Sequence, residues 1–253
     1  MAGKDEGVAI RELQDVGFTV MPHFVPADAL GRLNRVARVQ LEAGQPPIEL
    51  EADLQYPGAP ASRAADGGDT VRRLLDAYAR DPLFAEWAAH PSIARWMGGY
   101  FGEKVFLSRA HHNCLMTKHP RYGSRTGWHR DIRYWSFGRE DLVSVWIALG
   151  NESAENGGLC FVPGSHRLSF GNDRLDDALF FRDDREGSQA LLQSAVAPAL
   201  SAGDAVFFHC NTLHSAGQNK TTSVKFSLVF SYRGASNPPL PGTRSAAKGE
   251  EPL

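Results

Sequence analysis

Val143-Ser-Val-Trp-Ile-Ala-Leu149 reads as a β-strand, because β-branched and aromatic residues crowd a run shorter than an ordinary helix. It is one of a series. Val105-Phe-Leu, His111 to Thr117, Gly158-Leu-Cys-Phe-Val162, Ala205-Val-Phe-Phe-His209 and Phe226-Ser-Leu-Val-Phe-Ser-Tyr232 share its texture, and turn residues separate them. Many short strands after a helical first half predict a mainly β fold with flanking helices: a double-stranded β-helix, the cupin-like jelly roll, backed by helices.

Toward the N-terminus, Gly17-Phe-Thr-Val-Met-Pro-His-Phe24 is a short strand. Pro26-Ala-Asp28 then opens a helix carrying Leu30, Leu33, Val36, Ala37 and Leu41 on one face. Residues 44–68 are rich in Pro, Gly and Ala and predict a long irregular segment of the kind that lies over a site. From Thr70 to Tyr100 the apolar residues Leu74, Leu75, Tyr78, Phe84, Trp87, Ile93, Trp96 and Met97 recur at helical spacing, broken at Pro82 and Pro91. The expected organisation is one domain over 1–253, with helical support mostly in 26–100, a β-helix core over about 105–234 and a loose tail over 237–253.

The bulk properties narrow the partners. A chain of 253 residues can bury a large single core. Its 27 basic and 29 acidic residues, net charge -2, are evenly mixed and give no electrostatic case for nucleic acid or an anionic membrane. A small-molecule substrate is the expected partner, and the oligomeric state is left open. The three cysteines, Cys114, Cys160 and Cys210, are too scattered for a disulfide framework or a zinc knuckle. No leader-like or membrane-length apolar run is present, so the expected location is the cytoplasm.

The chemistry gathers around Gly127-Trp-His-Arg-Asp131. On a strand, His129 and Asp131 at i and i+2 leave the same face and can grip one cation. His214, in Phe208-His-Cys-Asn-Thr-Leu-His-Ser-Ala-Gly-Gln-Asn219, is the best third ligand. Two His and one carboxylate form the facial triad of non-haem Fe(II) oxygenases, with positions left open on the metal.

That run, followed by Val145-Trp146, Asn156-Gly-Gly-Leu-Cys-Phe-Val-Pro-Gly-Ser-His166, Gly203-Asp204 and His214-Ser-x-x-x-Asn219, resembles the phytanoyl-CoA dioxygenase family of iron(II)/2-oxoglutarate-dependent oxygenases. The blocks keep the family's order and spacing across about 108–234. The resemblance implies Fe(II) held by His129, Asp131 and His214. It also implies 2-oxoglutarate and O2 as co-substrates, hydroxylation of a small molecule, and release of succinate and CO2.

One position departs from the family. An Arg usually stands eleven residues after the second His and takes the distal carboxylate of 2-oxoglutarate; here that residue is Lys225, a point charge instead of a planar fork. Lys118 and Arg125 are the candidates to assist it, and Trp146 is expected to wall the co-substrate pocket. Ala216 replaces a Ser that commonly touches the co-substrate. The same changes fit an alternative reading, a non-catalytic or redox-neutral metal-binding jelly roll. His111, His112, His119 and His209 are expected to be satisfied polar groups, and His166 a structural residue of its turn. Trp128, Tyr134 and Trp135 are either core packing or a substrate wall. The charged stretch 172–187 is expected to be a solvated insertion near the site.

Overall fold

The computed structural model describes residues 4–253. In chain order the strands are β1 (Phe18–Met21), β2 (Ile48–Leu50), β3 (Val71–Leu75), β4 (Val105–Lys118), β5 (Thr126–His129), β6 (Leu142–Ala148), β7 (Leu159–Phe161), β8 (Ala205–His209), β9 (His214–Ala216), β10 (Lys225–Gly234) and β11 (Glu250–Pro252). The main helices are α1 (Glu6–Val16), α2 (Ala27–Ala43) and, before β4, two helices opened by prolines, Pro82–Ala88 and Pro91–Phe101.

The large sheet runs β1-β8-β6-β10-β4-β3-β2, with β11 added to β4, and a smaller sheet runs β5-β9-β7. Strand parity divides the core in two. Val143, Val145 and Ile147 of β6, Phe207 of β8, and Leu228, Phe230 and Tyr232 of β10 pack outward against Leu13, Leu33, Phe84, Ile93 and Trp96 of the helices. The alternate residues Trp146, Val206, Phe208 and Val229 face inward and meet Leu159, Phe161 and Ala216 of the small sheet. Two sheets closing on an inner apolar layer, with helices covering one outer face, make the expected double-stranded β-helix.

Two local expectations need correction, and one helix is new. Val71-Arg-Arg-Leu-Leu75 is the strand β3, not the start of a helix: its side chains alternate in burial, it pairs with both β2 and β4, and Asp76 at φ 59° ends it in the left-handed region. The helical spacing of Leu74, Leu75 and Tyr78 arose from a strand running into a short helix. Residues 237–253 are not a loose tail. β11 extends the large sheet, Asn237 and Ser245 are buried, and Arg233 forms a buried ion pair with Glu250. The first helix, capped by Asp5 and closed by Gly17 at φ 92°, had no counterpart in the sequence reading.

The longest strand carries the irregularity that shapes the site. Phe230 stands opposite Asn113, but the next residue, Ser231, stands opposite Ser108. Arg109, Ala110, His111 and His112 are therefore extruded from the ladder with β10, a bulge that re-aims them into the interior. Among the described residues, no helix is long and apolar enough to cross a membrane.

Candidate metal centre and its cavity

β5 ends at His129, and Asp131 opens the 3-10 turn Asp131–Tyr134, so the pair sits at a strand terminus and not along a continuous strand. His129 stands directly across the ladder from His214, the first residue of β9. Their rings lie 4.2 Å apart, and one ligand atom from each of His129, Asp131 and His214 falls within 4.8 Å of the others. All three side chains are shielded, at 12%, 4% and 5% exposure.

Each group is set in its ligating form. Nδ1 of His129 lies 2.8 Å from the Gly127 carbonyl, and Nδ1 of His214 lies 2.9 Å from that of Thr212. A carbonyl can only accept, so Nδ1 carries the proton in both rings and Nε2 presents its lone pair. Burial holds both imidazoles below their ordinary range, which keeps them neutral. Burial alone would raise the Asp131 carboxyl, but His112 together with His214 and His129 outweighs it, and the group stays ionised well below the usual carboxylate range.

His112 Nε2 donates to Asp131 Oδ1 at 2.9 Å, while Oδ2 is buried with no partner. Oδ1 also lies 3.5 Å from His214 Nε2 and 3.8 Å from His129 Nε2, so a carboxylate with an unsatisfied oxygen meets two imidazole lone pairs, the donor set a divalent metal would satisfy. The sequence reading treated His112 as an ordinary polar residue; the bulge of β4 brings it to the ligand. The only trace in the sequence is the His111-His112 doublet, which interrupts the strand's alternation.

The triad opens on a cavity of about 440 Å³. Lys118 and Lys225 lie opposite each other on β4 and β10, both inward and both only 5% exposed. Lys225 is therefore not a surface cation. Its Nζ lies 3.0 Å from Glu152 Oε2, 3.0 Å from Ser227 Oγ and 4.8 Å from the centre of the Trp146 ring, whose Nε1 also donates to Glu152. Lys118 has no carboxylate within salt-bridge range; its ammonium donates to the Ser124 carbonyl at 2.7 Å. Burial, with help from nearby Arg72, brings its pKa down to about 7.

Arg72, buried on β3, donates to Ser124 and Thr126 and pairs with Glu51 in the same region. Neither Glu152 nor the Arg72–Glu51 pair was legible in the sequence. Trp146 and Ala216 line the cavity. So does Gly157, where a Cβ would lie 2.9 Å from Lys118 Cγ and φ is 77°. The first glycine of the Gly-Gly block thus makes room for Lys118.

Two candidates leave the site. Arg125 is exposed and lines a separate groove beside Asp176 and Asp183, because its neighbour Thr126 takes the inward parity next to Arg72. Trp128, of opposite parity to His129, packs with Val162, Phe181 and Leu213 as core. Tyr134 and Trp135 do line the cavity, as do Leu54 and Tyr56 of the irregular segment. From the charged stretch, Phe180 meets the His129 ring edge-on at 5.7 Å. His166 bonds the Gln14 carbonyl, away from the metal ligands.

The sequence profile described as Phytanoyl-CoA dioxygenase (PhyH) matches residues 13–227, a span that includes the triad and both lysines. The chain belongs to the phytanoyl-CoA dioxygenase family. A probable phytanoyl-CoA dioxygenase of Caenorhabditis elegans is 26% identical over 182 residues, covering 68% of this chain and 57% of the relative. The peroxisomal phytanoyl-CoA dioxygenase of Homo sapiens is 25% identical over 236 residues, covering 88% and 66%. The chain therefore spans less than two thirds of the length of these two relatives. Among solved structures, the non-heme alpha ketoglutarate dependent epimerase SnoN from nogalamycin biosynthesis shares the fold with a TM-score of 0.76 at 23% identity, over 98% of this chain and 92% of that one. In this member of the phytanoyl-CoA dioxygenase family, Lys225 pairs with the buried Glu152.

Proposed function

We propose that the protein is an Fe(II)- and 2-oxoglutarate-dependent dioxygenase that hydroxylates a small molecule. The observation that carries the reading is the buried triad itself: two imidazoles with Nε2 free, one carboxylate oxygen with no partner, and a cavity lined by cations immediately beside them. Iron, 2-oxoglutarate and O2 would supply the oxidation, with succinate and CO2 released.

The chain's own residues orient and shield. Gly127 and Thr212 carbonyls fix the imidazole tautomers, and His112 holds the Asp131 carboxylate beside both imidazoles. Lys118 and Lys225 receive the distal carboxylate of 2-oxoglutarate, with Trp146 as the wall of that subsite. Lys118 contributes the larger share, because Glu152 already neutralises Lys225. Phe161, Phe208 and Phe180 pack on the histidine rings and exclude water. A cytoplasmic location belongs to the same proposal and is supported by three unpaired thiols, which suit a reducing compartment.

One observation favours a second reading. The Lys225–Glu152 pair leaves the usual carboxylate anchor internally satisfied, as a metal-binding jelly roll without the co-substrate would have it. O2-dependent succinate release from 2-oxoglutarate, across a panel of small-molecule substrates and with His129→Ala as the blank, separates the two. Release above the blank supports the dioxygenase. Iron bound without any succinate supports the second reading.

A further inference from the structure

We propose that the substrate is an anionic small molecule whose carboxylate or phosphate is taken at the cavity mouth by Arg244 and Lys248. This rests on the oxygenase reading and extends it to the substrate's charge.

The segment that carries these two residues is fixed over the mouth. Ser245 Oγ lies 2.7 Å from Nε2 of His111, on the bulge of β4, and accepts from the Ser136 backbone at 2.8 Å. Farther along, Glu251 pairs with Arg109 of the same bulge, and β11 joins the sheet. Arg244 and Lys248 lie between these attachments, exposed and lining the cavity. Neither has a carboxylate within 4.0 Å, whereas the cavity's own acids are already engaged. Glu49 is paired with Arg72 and Arg73, Asp76 with Arg109, and Asp131 with His112.

Arg133 adds a third cation without an acidic partner. Its guanidinium carbon lies over the rings of Tyr134, at 4.5 Å, and Phe180, at 3.9 Å. Trp135 lies stacked on His111 nearby, at 4.9 Å between ring centres. In a chain whose formal net charge is -2, the mouth is thus a local surplus of positive charge beside aromatic surface. Such a rim attracts anions over roughly a Debye length, about 10 Å at 0.1 M salt, and gives a ligand's apolar part somewhere to pack. The even mixture of charge along the sequence concealed it, because Arg133 lies more than a hundred residues before Arg244 and Lys248 in the chain.

The test is a ligand-observed NMR screen on the full chain loaded with Zn(II) and 2-oxoglutarate. The library consists of carboxylates and phosphates, each matched to a neutral amide or alcohol of the same skeleton. The anionic members should bind several times more often than their neutral partners. Their affinity should fall roughly tenfold in the Arg244→Gln/Lys248→Gln double variant and weaken with added salt. Whether carboxylates or phosphates dominate the hits identifies the group. Anionic members that bind no more often than the neutral ones would overturn the proposal, as would anionic hits indifferent to the double variant. A wild-type protein that shows the charge preference but forms no coloured complex with Fe(II) and 2-oxoglutarate would sink the oxygenase reading instead.

Discussion

Replacing Lys118 by Met should weaken 2-oxoglutarate binding and remove its dependence on pH. The Lys118 ammonium is buried, makes one hydrogen bond to a carbonyl, and has a pKa brought down to about 7 by burial and Arg72. To receive a carboxylate it must be protonated. Below pH 7 that proton is already present; above it, binding must draw one from solvent at about 1.4 kcal/mol per pH unit. Affinity should therefore fall by up to about tenfold per unit between pH 7 and 9. A lost charge-assisted hydrogen bond is worth about 1.5–3 kcal/mol, so Lys118→Met should cost roughly ten- to a hundredfold at pH 7 and leave a flat profile. Calorimetric titration of 2-oxoglutarate into the Zn(II)-loaded protein, in two buffers of different ionisation enthalpy, reads both the affinity and the proton taken up. A wild-type affinity constant from pH 7 to 9, or the same slope in Lys118→Met, would refute the assignment.

The neighbouring lysine should behave differently. Lys225→Met strands the Glu152 carboxylate in the interior and should destabilise the fold by about 3–5 kcal/mol in urea melts, whereas adding Glu152→Gln should recover most of the loss; no recovery would mean that the pair is not the cause. Gly157→Ala places a methyl 2.7 Å from the Gly217 carbonyl and against Lys118 at a positive φ, so a stability loss of about 1–3 kcal/mol and weaker 2-oxoglutarate binding are expected from melts and titration. Metal affinity should respond to acid later than free imidazole does. Because burial lowers His129 and His214 while Asp131 stays ionised, Zn(II) titrations at pH 7.5 and 6.5 should agree, with the loss setting in below about 6.5. A tenfold loss between those two values would contradict it.

What the sequence discloses here is local or carried by spacing. Strand texture located β6, β8 and β10, helical periodicity located α2, and the His-x-Asp run with the Gly-Gly block named the three residues that the fold draws together. What it concealed depends on pairing between distant segments. The bulge of β4 exists only because Ser231 pairs with Ser108 after Phe230 has paired with Asn113, and that shift alone turns His112 toward Asp131. Val71–Leu75 becomes a strand because β2 and β4 offer it partners, against the pull of its own leucines. Glu152 is one acid among many until Lys225, Ser227 and Trp146 surround it. Arg125 could be removed from the site only once the parity of β5 was known.

The metal centre and its co-substrate can be tested together. Under anaerobic conditions, wild-type protein given Fe(II) and then 2-oxoglutarate should develop a weak visible charge-transfer band, the sign of a keto acid chelated to iron. Asp131→Ala should not develop it. A wild-type protein that demonstrably binds iron yet stays colourless on addition of 2-oxoglutarate, or a band that survives Asp131→Ala unchanged, would contradict the account.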